Sequence, residues 1–415
     1  RRLNYSLKIN WMLDKVLQKI KTFIPKRLFD TLSPIYHYSL ALLGAVIFCF
    51  PARKLRVIAV TGTKGKSSTT EIINSIFEAA SKKTILLNTI RFKIGDISTP
   101  NKMKMTVPGR FFLQRMLRKG LSAGCDTAVI ELSSEAAKQF RDKFVYLDAL
   151  VFTNLSPEHI ESHGSFEKYR EAKVSLTKNL KPNGILIVNS NDPESVHFKR
   201  ATSRQTIEWN PNEPFNFKTS LIGDFNKKNI IPAATCAKAF GISKEVINKG
   251  VENLKEIRGR AEFVRTGQDF DVVVDYAHTS GSLTELYKAF GSQRKICVLG
   301  NTGGGRDKWK RPEMARVADT FCDEVILTNE DPYDEAPDQI IEDMLPGFKL
   351  HGPEIIMDRR EAIAEALRRA KKGDAVLITG KGTDPYIMLA NNKKLPWSDY
   401  EVAEEELEKL NARTA

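Results

Sequence analysis

The chain has 415 residues, 41% hydrophobic and 28% charged, which are the proportions of an ordinary globular protein and exclude a disordered or collagen-like one. Its net charge of +13 comes from 64 Lys and Arg against 51 Asp and Glu, and suits polyanionic partners such as nucleotides, sugar nucleotides or an anionic membrane. No basic stripe is interleaved with aromatics, so nucleic acid is not an expected partner.

The length accommodates two or three domains. The chain begins at Arg1 instead of Met, which leaves its true start open. Residues 1–34 carry eight Lys and Arg and two Asp, with Met12, Leu13, Val16, Leu17, Ile20, Phe23 and Ile24 at helical spacing, the pattern of a basic amphipathic helix. Next come sixteen largely apolar residues, Ile35–Phe50, bracketed by Lys26 and Arg27 before and by Arg53, Lys54 and Arg56 after. That run is shorter than the ~20 residues of a spanning helix. Three readings are open: a helix in the membrane surface, a helix docked on the next domain, or an uncleaved signal.

Val57–Ser67, Val-Ile-Ala-Val-Thr-Gly-Thr-Lys-Gly-Lys-Ser, is an apolar strand followed by a glycine-rich turn, and a helical pattern follows it. This is the layout of a phosphate-binding loop. Gly62 and Gly65 let the backbone N–H groups of Thr63, Lys64 and their neighbours face a polyphosphate. Lys66 can reach terminal phosphates, the Ser67 hydroxyl can hold a divalent cation, and Ser68 follows as a further nucleotide-binding candidate. Two residues separate the glycines, tighter than the common Gly-x-x-x-x-Gly-Lys-Ser/Thr pattern.

From Leu55 to about Ile257 strands alternate with helices, as in an α/β domain with a largely parallel sheet. Predicted strands are 83–88, 128–132, 149–154 and 184–189, which places Glu131 and the turn at residues 153–159 at carboxyl ends facing the loop. A second, Rossmann-like α/β unit follows Arg258, with strands at 271–275, 295–299, 324–328 and 375–379. The tail from Asp399 is charged and helical. The expected division is 1–54 as a helical basic and apolar segment, 55–258 as the central phosphate-loop domain, and 259–415 as the C-terminal domain. Cys49, Cys125, Cys236, Cys297 and Cys322 form no Cys-x-x-Cys pair, which predicts neither a zinc site nor a disulfide, and a reducing compartment.

The string Thr61-Gly-Thr-Lys-Gly-Lys-Ser67 resembles the nucleotide loop of the Mur ligase superfamily, and Thr153–Lys173 resembles that family's middle-domain motif over its whole length. The resemblance implies ATP and Mg²⁺ as cofactors. It makes Lys66, Glu131, His159 and Lys173 catalytic, with Ser67, Glu131, His159 and a carbamylated Lys173 around the metal. Asn229 in Leu221–Asn229 would lie by the adenine, and Arg260, Asp275 and His278 would reach phosphates and ribose from the C-terminal unit.

Within the superfamily the chain is most similar to the ligases that add the third residue of the peptidoglycan stem, which implies a muramoyl-L-alanyl-D-glutamate substrate and a free amino acid. Thr106, Ser133, Gln139 and Arg141 match muramoyl-dipeptide contacts. Gly304–Lys308 with Lys310–Pro312, and Gly380-Lys-Gly382, match the amino-acid-binding domain, with Arg306 the candidate for the α-carboxylate. A family member carries a uridine-binding domain before the loop, whereas 56 residues precede Val57 here. The expectation is that uridine is held differently, or that the carrier is another molecule, lipid-linked. Tyr333 stands where diaminopimelate-adding enzymes have an arginine, and Glu330, Asp331, Asp334, Glu335, Asp338 and Asp384 are acidic. Charge therefore favours L-lysine or another diamino acid. The expected protein is a monomer on the cytoplasmic side, with residues 1–54 either in peripheral membrane contact or standing in for the missing uridine-binding domain. Alternatives are another ligase of the superfamily, such as a polyglutamate ligase, and a phosphate-loop ATPase without ligase activity.

Overall fold

The computed structural model describes residues 26–158, 160–305 and 308–414. The amphipathic pattern of residues 1–25, His159 and Arg306 lie outside them.

The first described element is the helix Lys26–Ile47. Its small residues face inward: Ala41 and Ala45 are buried and Gly44 lies against Phe111, so this helix comes close to the helix Arg110–Ser122. Tyr38 packs on Phe140 and Phe144, Phe50 on Phe144, and Arg53 over Phe50 and Tyr146. Of the three readings of this stretch, a docked helix is what the described residues display. Its outer face stays apolar, with Ile35, Tyr38, Leu42, Leu43, Val46 and Ile47 exposed. Among the described residues no helix is long and apolar enough to cross a membrane.

An eight-stranded sheet follows, built from β1 (Arg56–Thr61), β2 (Thr84–Leu87), β3 (Arg91–Ile94), β4 (Ile97–Pro100), β5 (Thr127–Glu131), β6 (Leu147–Phe152), β7 (Leu180–Asn189) and β8 (Gln205–Trp209). Its order is β4-β3-β2-β5-β1-β6-β7-β8. All neighbours are parallel except the β2-β3-β4 meander at one edge. Both faces are covered, which is why β1 reads as an unbroken apolar run. Val57 and Ala59 face the helix Arg110–Ser122, while Ile58 and Val60 face Ile72, Ile73 and Ile76 of the helix Lys66–Ala79. Each fully buried Val, Leu or Ile side chain contributes about 1.5–3 kcal/mol.

The second sheet contains β9 (Glu262–Phe263), β10 (Asp271–Asp275), β11 (Lys295–Leu299), β12 (Glu324–Leu327), β13 (Glu354–Ile355) and β14 (Ala375–Thr379), in the order β13-β12-β11-β14-β10-β9. Only β9 is antiparallel to its neighbour. The C-terminal helix Asp399–Thr414 closes one face with Val402, Ala403 and Leu407, and a short hairpin, β15 (Tyr386–Met388) with β16 (Lys394–Pro396), flanks the carboxyl edge. Every strand predicted from the sequence is present within one or two residues at most boundaries; β7 starts four residues earlier than predicted. The short strands β3, β4, β8, β9, β13, β15 and β16 carry too little apolar pattern to stand out.

One cysteine pair is bonded where no disulfide was expected. Cys297 on β11 and Cys322 after the helix Lys310–Phe321 form a disulfide, 25 residues apart in sequence. No motif marks the pair, because the strand and the returning helix bring the two together only in the folded chain. Cys49, Cys125 and Cys236 are free.

Candidate active site

The parallel register sets the site. Val60 pairs with Glu131 and Thr61 with Phe152, so β1, β5 and β6 end side by side where the glycine-rich turn begins. Gly62 has φ +147 and lies against Thr153, whose hydroxyl donates to the Lys64 carbonyl at 2.7 Å. Asn154 clamps the turn: its carbonyl accepts from Thr63 N at 2.8 Å and its Oδ1 from Lys64 N at 2.9 Å. Gly65 takes φ +79 and starts the helix Lys66–Ala79, whose amino end directs partial positive charge at the turn.

Chemistry gathers around this turn. Ser67 Oγ donates to Glu131 Oε2 at 2.8 Å, and Thr89 donates to the same oxygen through N and Oγ1, both at 3.0 Å. Ser67 and Glu131 are both buried. Ser68, the next residue of the helix, is buried as well. A hydroxyl and a carboxylate at hydrogen-bond distance beside a phosphate loop are the oxygen donors a Mg²⁺ ion takes, so these residues fit that ion. Lys66 Nζ donates to the Thr63 carbonyl at 2.8 Å, folded back along the loop.

Lys173, on the helix Phe166–Val174, is 2% exposed and donates to the Gly62 carbonyl at 2.7 Å. Burial, and then the nearby Lys66 cation, hold its pKa well below the usual lysine range. Burial likewise lowers Lys64, with Glu158 and Glu285 opposing the shift. Asn229 abuts the loop, its Oδ1 placed 2.2 Å from where a Cβ on Gly65 would stand, and its Nδ2 donates to Asn226 Oδ1 at 3.2 Å.

Residues of the second unit approach the same turn. His278 Nε2 lies 3.4 Å from Glu158, and its Nδ1 lies 2.8 Å from the Tyr276 carbonyl. Asp275 is buried and accepts from Ala261 N and Ala277 N, both at 2.6 Å; burial raises its pKa against the pull of Arg260. Arg260 stacks over Tyr276 with 4.5 Å to the ring centroid. Ser220, Asn226 and Arg260 line a cavity of about 260 Å³ between the units.

A second cluster lies along the edge near β5. Arg141 donates to Gln139 Oε1 at 2.7 Å and to the Val107 carbonyl, while Arg110 donates to the Gln139 carbonyl and contacts His37 of the N-terminal helix. Thr106 Oγ1 is 2.9 Å from Thr89 Oγ1, which links this cluster to Glu131. Ser133 caps the helix Ser134–Lys138 by accepting from Ala136 N at 3.2 Å.

The remaining candidates stand at the carboxyl edge of the second sheet. Asp331 accepts from Lys381 Nζ at 2.8 Å and Met388 N at 2.7 Å, and pairs with Lys104; Asp384 pairs with Lys104 at 2.8 Å. Gly380, at φ +104, lies under Glu330, and Tyr333, at φ +53, packs its ring on Gly304. Sequence reasoning did not single out Thr89, Lys104 or Arg110. Each is a lone polar residue in a loop or at a helix start, with no motif of its own, and its role arises only from what folds against it.

These features define a phosphate-loop nucleotide-binding protein in which a second α/β unit closes over the loop. Comparison with known proteins extends this. Residues 60–210 match the Mur ligase middle domain, and residues 259–382 the Mur ligase glutamate ligase domain. The UDP-N-acetylmuramoyl-L-alanyl-D-glutamate--2,6-diaminopimelate ligase of Bacillus licheniformis is 35% identical over 398 residues, covering 88% of this chain and 81% of that protein. Its counterpart from Gloeobacter violaceus is 34% identical, covering 90% and 81%. A solved structure of a ligase of that name has a TM-score of 0.59 at 27% identity, covering 86% of this chain and 79% of that one. Mycobacterium tuberculosis folylpolyglutamate synthase complexed with ADP shares the fold, with a TM-score of 0.68 at 13% identity over 83% of this chain and 92% of that one. The chain belongs to the Mur ligase family of ATP-dependent ligases.

Proposed function

We propose that this chain joins an amino acid to the D-glutamyl carboxylate of a muramoyl-L-alanyl-D-glutamate precursor, releasing ADP and phosphate through an acyl phosphate. The observation that carries the reading is the arrangement at the phosphate loop, where Lys66, the Ser67–Glu131 pair and buried Lys173 surround one turn. Lys66 unfolds from the Thr63 carbonyl to meet the terminal phosphates. Arg260 approaches from the second unit with His278 beside it, so that Lys66 and Arg260 place cations around the charge of the transferring phosphoryl group. Mg²⁺ would be held by Ser67 and Glu131, with His159 and a carbamate on Lys173 as further ligands, and when bound it neutralises phosphate charge. The low proton affinity of Lys173 supports carbamylation, because only a neutral amine attacks carbon dioxide. Asn229 borders the nucleotide at Gly65, and Asp275 holds the turn that presents Arg260.

Gln139, Arg141 and Thr106 would bind the muramoyl dipeptide, with Ser133 fixing the short helix between them and Glu131. Glu330, Asp331 and Asp384 would receive an amino acid bearing a side-chain ammonium, L-lysine or another diamino acid. Gly380 and Tyr333 would shape that pocket, and Arg306 would meet the α-carboxylate. The tyrosine cannot grip a distal carboxylate as an arginine would. The outer apolar face of the helix Lys26–Ile47, with exposed Arg53 and Lys54 beside it, suits peripheral contact with an anionic membrane on the cytoplasmic side. The docked side of the same helix is joined to the Gln139–Arg141 cluster through His37 and Arg110, which suits a lipid-linked carrier.

Lys66→Ala should abolish ADP release in the presence of ATP, muramoyl dipeptide and L-lysine. Undiminished release by the variant would rule the mechanism out. Wild-type hydrolysis that ignores both acceptor and amine would point instead to a plain ATPase.

A further inference from the structure

Asp331 and Asp384 are 3% and 7% exposed, yet one oxygen of each is held from outside their own unit. Lys104, in the loop between β4 and the helix Arg110–Ser122 of the first unit, pairs with Asp331 Oδ2 and with Asp384 Oδ2 at 2.8 Å. Asp331 Oδ1 is already engaged by wholly buried Lys381 and by Met388 N. Two lysines therefore balance two aspartates, one from each unit. Next to them Glu330 is 2% exposed; its Oε1 accepts from Thr302 at 2.9 Å and its Oε2 has no hydrogen-bond partner among the described residues. That oxygen lies over Gly380, the residue before Lys381, so the pocket keeps an unused buried acceptor. The Tyr386 ring forms one wall, 5.5 Å from Lys104 Nζ.

We propose that the Asp331–Asp384 pair is an alkylammonium subsite which Lys104 occupies in cis, and that the side-chain ammonium of the incoming amino acid takes its place. This rests on reading the chain as an amino-acid ligase. Exchanging one ammonium for another preserves the charge balance of a buried acid pair. A neutral side chain in place of Lys104 would leave Lys381 as the one lysine against two buried carboxylates, an arrangement that burial makes costly. Lys104 thus sets specificity by competition: only a cationic side chain displaces it, and a neutral one leaves it in place and the pocket closed. The exchange also breaks a contact between the two units, so amino-acid binding acts on their closure.

The test uses the full chain with Lys104→Ala, and with Lys104→Gly as a second variant that the left-handed backbone at this position (φ 53) accepts without strain. n-Butylammonium chloride, against sodium chloride at equal ionic strength, should raise the melting temperature of both variants and leave wild type unchanged. Adding Asp384→Asn to either variant should remove the effect. In turnover, KM for L-lysine should fall about tenfold on Lys104→Ala. No response of either variant to n-butylammonium, or a KM for L-lysine equal to or above wild type, overturns the proposal. If wild type turns over no amino acid, the ligase reading fails, and the n-butylammonium comparison still decides the subsite.

Discussion

Placing Asn229 directly on the phosphate loop makes Gly65→Ala a sharp probe. Gly65 has φ +79, and a Cβ there would stand 2.2 Å from Asn229 Oδ1, where ordinary contact begins near 3.4 Å. Two costs follow. Putting a Cβ on a left-handed residue costs about 1–2 kcal/mol, and forcing a buried amide aside costs about 1–3 kcal/mol as overpacking. Asn229 cannot yield freely, since it is 7% exposed and donates to Asn226 at 3.2 Å. The expected loss is about 2–5 kcal/mol by urea unfolding, accompanied by weaker ATP binding as the loop amides shift. Asn229→Ala in the same chain removes the obstacle but not the backbone cost, so the double variant should recover about 1–3 kcal/mol relative to additivity. Strict additivity, within about 0.5 kcal/mol, would refute the contact and with it the seat of Asn229.

Lys173 carries a pH signature. Its proton affinity is depressed in the fold, so between that lowered value and the ordinary 10.5 the unfolded chain holds the extra proton and stability rises with pH. In carbon-dioxide-free buffer Lys173→Met should flatten that slope in urea midpoints taken at pH 7 and 9; an unchanged slope would contradict a neutral buried amine. Arg141→Ala should raise KM for the muramoyl dipeptide about tenfold to a hundredfold and leave KM for ATP near wild type, because Arg141 reaches Gln139 and Val107 away from the loop. Equal effects on both substrates would remove Arg141 from the acceptor site. Val46→Glu, on the outer face of the N-terminal helix, should weaken co-sedimentation with anionic vesicles while thermal stability holds; binding that is indifferent to this charge would argue against membrane contact.

The two sheets were legible in the sequence because their strands are buried on both faces, which turns a parallel core into apolar runs such as Val57–Val60 and Val272–Val274. The loop was legible too, since the need for glycine where φ is positive and for a lysine and a hydroxyl beside phosphate leaves a contiguous signature in Gly62–Ser67. Local chemistry of that kind survives in a string of letters. What lies across the chain does not. Lys104 meets an aspartate 227 residues away, and Cys297 meets Cys322 only because a helix returns to its strand. The acids at 331 and 384 read as free charge in the sequence, yet in the fold Lys104 and Lys381 neutralise them. The apolar run at 35–50 had three readings until packing separated its small face, set on the helix Arg110–Ser122, from its large one. A sequence records which groups a chain has, and contiguous motifs record how neighbours along it cooperate. Which distant charge sits beside which, and how much water either retains, is decided by tertiary packing, because Coulomb and desolvation energies depend on separation and burial in space.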